Sequence, residues 1–402
     1  MTPITLKDIE LARETLKVEI DTTPLFHSRS CSDLIGTDVF LKLENQQKTG
    51  SFKIRGAFNK IASLTEAEKS VGVVAASAGN HAQGVALAAS LAGATSHIVM
   101  PKNSPTIKIQ STQAYGAQVT LHGEIYDEAF KYAFKLAQER GQTFIHPYKD
   151  PKVIAGQGTI GLELLDEIHN LDSIVVPIGG GGLISGVGLA IKTLRPSCKV
   201  YGVVAKQASG MKNLFHQEKV DHSLSFPSIA DGISVKEPSL EMYNTYIKQY
   251  VDDVVAVDED EIAEALVFLL ERTKHVVEGS GAVTLAAVAR KKWDLGKKCA
   301  LVVSGGNIDL NLVSKVIERG LSKNGRLARV YLAVEDRPGT LTRITKAMGE
   351  NDANILDIYH DRLSPNLRLR ETVLNILFEA KGPEHLKSVL ESLEQAGGRI
   401  IR

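Results

Sequence analysis

From about residue 20 to residue 320 the chain alternates short, β-branched apolar runs with helical stretches, and this rhythm limits the available folds more than any other feature. Val71-Gly72-Val73-Val74-Ala75-Ala76 reads as a buried strand, Asn80 to Ala92 as a helix stopped by Gly93, and Ser96 to Met100 as the next strand. A helix over Ser104 to Tyr115, then Gly116 and a strand over Gln118 to Leu121, repeat the pattern. Ser173 to Ile178, Val200 to Ala205, Val254 to Val257 and Ala300 to Val303 supply further strands. This β-α-β-α order implies an α/β fold, with parallel sheets covered by helices on both faces. Ligands of such sheets bind where a strand ends and the chain turns into the next helix. At 402 residues, two or three compact units are expected.

The pattern breaks at Leu321-Ser322-Lys323-Asn324-Gly325-Arg326, a polar stretch that reads as a linker. Beyond it, Arg329 to Glu335 reads as a strand and Thr340 to about Asn351 as a helix. Ile355 to Arg362 and Thr372 to Ala380 read as a strand pair around a Ser364-Pro365-Asn366 turn. A helix over Pro383 to Gln395 and a strand over Arg399 to Ile401 complete β-α-β-β-α-β, the split βαβ or ferredoxin-like unit. The expected division is a catalytic domain over residues 1–320, a linker over 321–328 and a second domain over 329–402. A small subdomain of about residues 50–150 is expected within the first.

Charge excludes several functions. Lys+Arg and Asp+Glu both total 47, so nothing favours a nucleic acid or an anionic membrane over a small molecule. No apolar stretch has the length of a membrane span. The start, from Met1 to Glu10, reads as a helix capped by Thr5 rather than a secretory leader. Cys31, Cys198 and Cys299 are widely spaced and suggest neither a disulfide framework nor a zinc site. Reduced, buried cysteines and a cytoplasmic location are expected.

Four segments carry candidate chemistry. In Ser51-Phe52-Lys53-Ile54-Arg55-Gly56-Ala57, Phe52 could desolvate Lys53 and lower its pKa, as a lysine that forms a Schiff base requires. Alone, this segment more often describes a solvated surface lysine. Ser77-Ala78-Gly79-Asn80-His81-Ala82-Gln83-Gly84 lies on a strand-to-helix turn, where free N–H groups and the helix dipole suit a carboxylate. Ser77, Asn80 and His81 add side-chain donors, although Asn80 could simply cap the helix. Gly179-Gly180-Gly181-Gly182-Leu183 follows another strand and lets backbone amides turn onto a phosphate. Its spacing matches neither the dinucleotide fingerprint nor a P-loop. Ser304-Gly305-Gly306-Asn307 ends a further strand and offers a neutral hydroxyl.

Together these segments resemble the fold-type II pyridoxal-phosphate (PLP) enzymes, most closely the threonine dehydratase and serine racemase/dehydratase group. The likeness covers about residues 5–320, including Thr23-Pro24-Leu25 and Val153-Ile154-Ala155-Gly156-Gln157-Gly158-Thr159. It implies two three-layer α/β/α subdomains, as in the β subunit of tryptophan synthase. It also implies that Lys53 holds PLP and serves as the catalytic base, with Phe52 beside the ring. Asn80 would bond the ring hydroxyl, residues Gly179 to Leu183 the phosphate and Ser304 the pyridine nitrogen. Gly232 and Glu278 would line the cofactor's other side, while Ser77, Asn80 and His81 would hold the substrate carboxylate. The implied reaction removes water and ammonia from L-threonine, giving 2-oxobutanoate, with L-serine as a secondary substrate.

Residues 329–402 resemble an ACT domain, the amino-acid-sensing module of many biosynthetic enzymes, through Asp336-Arg337-Pro338-Gly339-Thr340-Leu341. That likeness implies an amino-acid effector at Gly339, Thr340 and Leu341, and a homo-oligomer, dimer or tetramer. An allosteric enzyme of isoleucine biosynthesis, or of threonine breakdown, would carry such a unit.

Departures narrow the choice. Racemases of the group place a second base, a serine, where this chain has Ala78, so racemisation is expected to be weak. Val204, Ala208 and Gly210 occupy the positions of the racemases' cation ligands, and none is a carboxylate, so no metal is expected. Cysteine synthases of the same fold differ in the lysine segment and carry Thr after the Asn. The alternatives are a serine racemase/dehydratase and a non-catalytic amino-acid sensor on the same scaffold.

Overall fold

The central apolar runs become strands buried along their whole length, as in Val73–Ala76 and Ser173–Pro177, while the edge strands Gln118–Leu121 and Asp253–Val257 are partly exposed. Runs without polar alternation suit parallel sheets covered on both faces. A computed structural model describes residues 2–219, 228–235, 237–290, 293–362 and 368–401, which divide into units at residues 1–308 and 309–402.

In the first unit a six-stranded sheet has the order Leu25–His27, Asp38–Leu43, Lys298–Val303, Ser173–Pro177, Lys199–Ala205, Asp253–Val257. Its neighbours are parallel except the antiparallel edge pair Leu25–His27 and Asp38–Leu43, a departure from the wholly parallel expectation. A second sheet, of four parallel strands, runs Gln118–Leu121, Ser96–Met100, Val73–Ala76, Thr143–Phe144. Val71 is not in a strand. It ends the helix Glu66–Val71, which the Thr65–Glu68 capping box starts, and Gly72 at φ 93° turns the chain into Val73.

The helix that starts at Lys53 is fixed by close backbone packing. It packs against Asn80–Leu91 and Pro151–Glu167, and a Cβ on Gly156 would lie 2.6 Å from the Arg55 carbonyl oxygen. Beneath it lies a buried ion cluster. The Arg55 guanidinium bonds both oxygens of Glu44 at 2.8 Å, and its other amine lies 2.5 Å from Glu163 Oε1. Lys42, fully buried, reaches Glu163 Oε2 at 2.6 Å. Burial favours the neutral form of Arg55, but the two carboxylates outweigh it and hold the guanidinium ionised.

The second unit opens with the helix Leu310–Lys323 and continues as β-α-β-β-α-β. Its antiparallel sheet has the order Asn354–Asp361, Glu371–Glu379, Leu327–Glu335, Arg399–Ile401. Ile344 and Met348 of the helix Thr340–Glu350, and Val389 and Leu393 of Pro383–Gln395, close its core over Leu332, Leu374, Ile376 and Phe378. Residues 321–328 are therefore not a free linker. Leu321 to Lys323 finish a helix, Gly325 turns at φ 61°, and Leu327 already pairs with Glu379. The Ser364-Pro365-Asn366 turn lies outside the described residues.

Candidate functional site

Three strand ends of the first unit and the start of the helix Lys53–Ala62 bring the candidate residues together. Lys53 is the first residue of the helix Lys53–Ala62, with Phe52 at its N-cap. The Lys53 Nζ donates to the Pro147 carbonyl at 3.2 Å and lies 5.1 Å from the centre of the Phe52 ring. Burial disfavours its charge and brings the pKa down to about 8, against the opposing pull of Glu278. An amine so poised is partly unprotonated near neutral pH.

The next turn, from Ser77 into the helix Asn80–Leu91, faces open space, since a Cβ on Gly79 would touch nothing within 4 Å. Ser77 Oγ accepts from the Gly79 N–H at 3.1 Å. Asn80 Nδ2 donates to Glu278 Oε1 at 2.7 Å, and Ser280 Oγ reaches the same oxygen at 3.1 Å. Burial and neighbouring Asp231 push Glu278 up to about 7.

His81 departs from the expected role. Its Nε2 lies 2.9 Å from the Ile145 carbonyl, which can only accept, so this nitrogen carries the proton. Burial and nearby Lys53 bring the ring's pKa down to about 3. The neutral ring thus has no second N–H for a carboxylate, and only the His81 backbone N–H at the helix start can serve one.

Gly179 to Leu183 run from the strand Ser173–Pro177 into the helix Gly182–Leu194. Gly181 has φ 94°, a left-handed conformation that turns the chain into the helix. The reason for glycine at 180 and 182 is more specific than an open cradle. A Cβ at Gly180 would collide with the Tyr148 ring, and one at Gly182 would sit 2.9 Å from Tyr148 Cα. The first-turn N–H groups remain available to an anion, and Ser185 Oγ in that turn is buried without a protein partner.

Ser304, buried, donates its hydroxyl to the Ser280 carbonyl at 3.1 Å. Gly232 completes this side, because a Cβ there would lie 2.6 Å from Ser280 Oγ and 3.6 Å from Glu278 Oε1. Lys53, Asn80, Glu278, Gly232 and Ser304 are thus joined by contacts or charge, while Gly179 to Leu183 meet them through Tyr148 and Pro147. Sequence reasoning missed Pro147, Tyr148, Ser280 and Asn307. Asn307 stood in a quoted motif, whereas nothing in the sequence marked the loop carbonyl of Pro147.

In the second unit Gly339, at φ 88°, caps the helix Thr340–Glu350. Thr340 Oγ1 is buried without a partner and Leu341 is exposed. Among the described residues there is no cluster of metal-binding side chains, and no helix is long and apolar enough to cross a membrane.

Comparison with known proteins gives a consistent outcome. A family model described as pyridoxal-phosphate dependent enzyme matches residues 16–305. An L-threonine ammonia-lyase of Thermotoga maritima is 46% identical over 397 residues, 99% of each chain. The catabolic L-threonine dehydratase of Escherichia coli (strain K12) is 44% identical over 78% of this chain and 96% of its own. Among solved structures, maize serine racemase superposes with a TM-score of 0.74 at 35% identity, covering 80% of this chain and 99% of the other. The processed form of threonine deaminase isoform 2 from Solanum lycopersicum gives 0.72 at 34% identity, over 78% of this chain and 86% of the other.

Proposed function

We propose, on the premise that this chain belongs to the pyridoxal-phosphate-dependent enzymes, that it deaminates L-threonine to 2-oxobutanoate and ammonia, and L-serine to pyruvate as a side reaction. The observation that carries this is the 46% identity to an L-threonine ammonia-lyase along 99% of both chains.

The site's residues fit PLP. A buried amine of lowered pKa suits its aldehyde. A helix N-terminus with an unpartnered buried hydroxyl, Ser185, suits its phosphate. When bound, PLP supplies an electron sink for the substrate's α-carbon. Lys53 Nζ is the base that takes the α-proton, and its lowered pKa makes the neutral amine accessible. The Ser77–His81 turn holds the substrate carboxylate through Ser77 and the backbone N–H groups of Asn80 and His81. Asn80 Nδ2 would hold the cofactor's ring oxygen and Ser304 its ring nitrogen, while Gly232 and Glu278 would line the remaining side. Ala78 offers no proton acceptor opposite Lys53, which favours elimination over racemisation.

The second unit, residues 309–402, acts in this reading as an ACT domain that takes an amino-acid effector at Gly339, Thr340 and Leu341. Its exposed Leu356 and Tyr359 suit pairing between copies in a homo-oligomer. Three free, buried cysteines suit the cytoplasm.

An assay of 2-oxo acid release from threonine and serine, repeated with each branched-chain amino acid, tests the reading. Threonine is expected to be the better substrate and one effector to change the rate. Lys53→Ala should abolish both turnover and the yellow absorbance of lysine-linked PLP. A colourless protein that PLP cannot reconstitute would instead favour the non-catalytic sensor.

A further inference from the structure

One backbone carbonyl sets the direction of two side-chain amides in series. The Thr49 carbonyl accepts from Asn307 Nδ2 at 2.7 Å, and the same nitrogen lies 2.8 Å from Asn80 Oδ1. A carbonyl only accepts, so the Asn307 atom facing Thr49 is its nitrogen, and both protons of that nitrogen are committed. The Asn80 atom it meets is therefore the oxygen. Asn80 Nδ2 is left on the far side, with one proton on Glu278 Oε1 at 2.7 Å and no protein acceptor for the other among the described residues.

Glu278 alone does not enforce this direction. It is held at about 7, with Asp231, Lys108, Lys53, Asn80 and Ser280 as its polar neighbours. A carboxyl group half protonated at neutral pH can accept from an amide nitrogen or donate to an amide oxygen. The Asn80 amide is nearly symmetric in shape, so packing does not choose either. Only Asn307 has no alternative.

The amide is not needed to join the two loops. The Gly306 N–H bonds the Gly50 carbonyl at 2.9 Å, and the Phe52 N–H bonds the Ser304 carbonyl at 3.2 Å. Gly50, at φ 70°, leaves the room that Asn307 occupies, since a Cβ there would lie 2.5 Å from Asn307 Oδ1.

We propose that Asn307 is a positioning residue that fixes the Asn80 amide with its N–H toward the cofactor's ring oxygen, using the Thr49 carbonyl of the Lys53-bearing segment as its reference. The proposal rests on the reading that Asn80 faces PLP. Without Asn307, Asn80 can turn its oxygen to the ring oxygen, setting acceptor against acceptor.

The test is a cycle of Asn307→Ala, Asn80→Ala and the double variant in the full chain. It is read as PLP affinity by equilibrium dialysis and as the absorbance spectrum of the bound cofactor. Asn307→Ala is expected to weaken PLP about tenfold, the scale of one lost hydrogen bond, and to shift the spectrum. Added to Asn80→Ala, it should change neither, because it acts only through that residue. An equal loss in both backgrounds, or none in Asn307→Ala alone, overturns the proposal. Unchanged PLP binding and spectrum in Asn80→Ala alone would instead refute the reading beneath it. Asn307→Asp, of the same shape but without the N–H donors, should reproduce Asn307→Ala. Failure of both Asn307 variants to fold with PLP present would assign the residue to the scaffold and overturn the proposal.

Discussion

In residues 1–308 the central strands are buried along their length, whereas in residues 309–402 partly exposed positions fall within every strand. Ser173–Pro177 is buried at every position, but Asn354–Asp361 shows no fully buried residue, and in Leu327–Glu335 Val330 is buried while Arg329 and Tyr331 are not. A parallel sheet covered on both faces sends each strand's C-terminal end into a turn and then a helix N-terminus, so such turns gather along one edge. Three of these turns, at 77–81, 178–182 and 304–307, follow Val73–Ala76, Ser173–Pro177 and Lys298–Val303. The antiparallel unit has two strand-to-helix turns, at 336–339 and 380–382, and because the strands they follow run in opposite directions the two lie at opposite ends of the sheet. Chemistry that needs several converging groups belongs to the first architecture, and a single-ligand sensor can be built on the second.

The contrast can be tested at each unit's interior. The largest effect is expected from Glu44→Ala, which strands the buried Arg55 guanidinium beside Glu163. Breaking such a pair costs about 3–5 kcal/mol, and denaturant unfolding followed by loss of PLP absorbance should show it. A cost under about 1 kcal/mol would mean that Glu163 alone satisfies Arg55, even though it also serves Lys42. Next, Leu374→Ala empties the one-sided core of the second unit, where Leu374 is 1% exposed. About 3 kcal/mol is expected there, while the PLP colour at Lys53 persists. Loss of that colour would break the division drawn here.

The smallest effect per step is a decline in the first unit's stability as pH falls below about 6.5. His81 is held at about 3 and His146 at about 4, both by burial first, against 6.5 for an unperturbed histidine. Between those values the unfolded chain binds protons that the folded chain refuses, so stability is full above 6.5 and drains as pH falls towards 4. Melting temperature against pH measures it, and His81→Asn, neutral at all pH, should flatten the slope.

The strands Ser96–Met100 and Gln118–Leu121 and the helix Pro383–Gln395 were legible to the residue, because each is an uninterrupted periodic run bounded by Gly, Pro or polar residues. Asp38–Leu43 was missed because Lys42 sits in it. A charge in a central strand looks disqualifying until Glu163, far along the chain, is found to pair with it. The site divides in the same way. Lys53, Asn80, Ser304 and the four glycines stand in local motifs. Pro147 acts through a carbonyl that every residue possesses, and His81 lost its expected side-chain role to the Ile145 carbonyl. Long-range pairings of backbone atoms leave no mark on composition or spacing.

The close packing around Lys53 also bears on redesign. With Gly156 against the Arg55 carbonyl and Gly84 3.1 Å (as a virtual Cβ) from the Lys53 carbonyl carbon, the reactive amine hangs from a backbone that has no room to shift. That helix is a fixed datum for an engineer. Selectivity would have to be rewritten on the opposing turn, where the vector at Gly79 points into free space and a new side chain can be added without disturbing a neighbour.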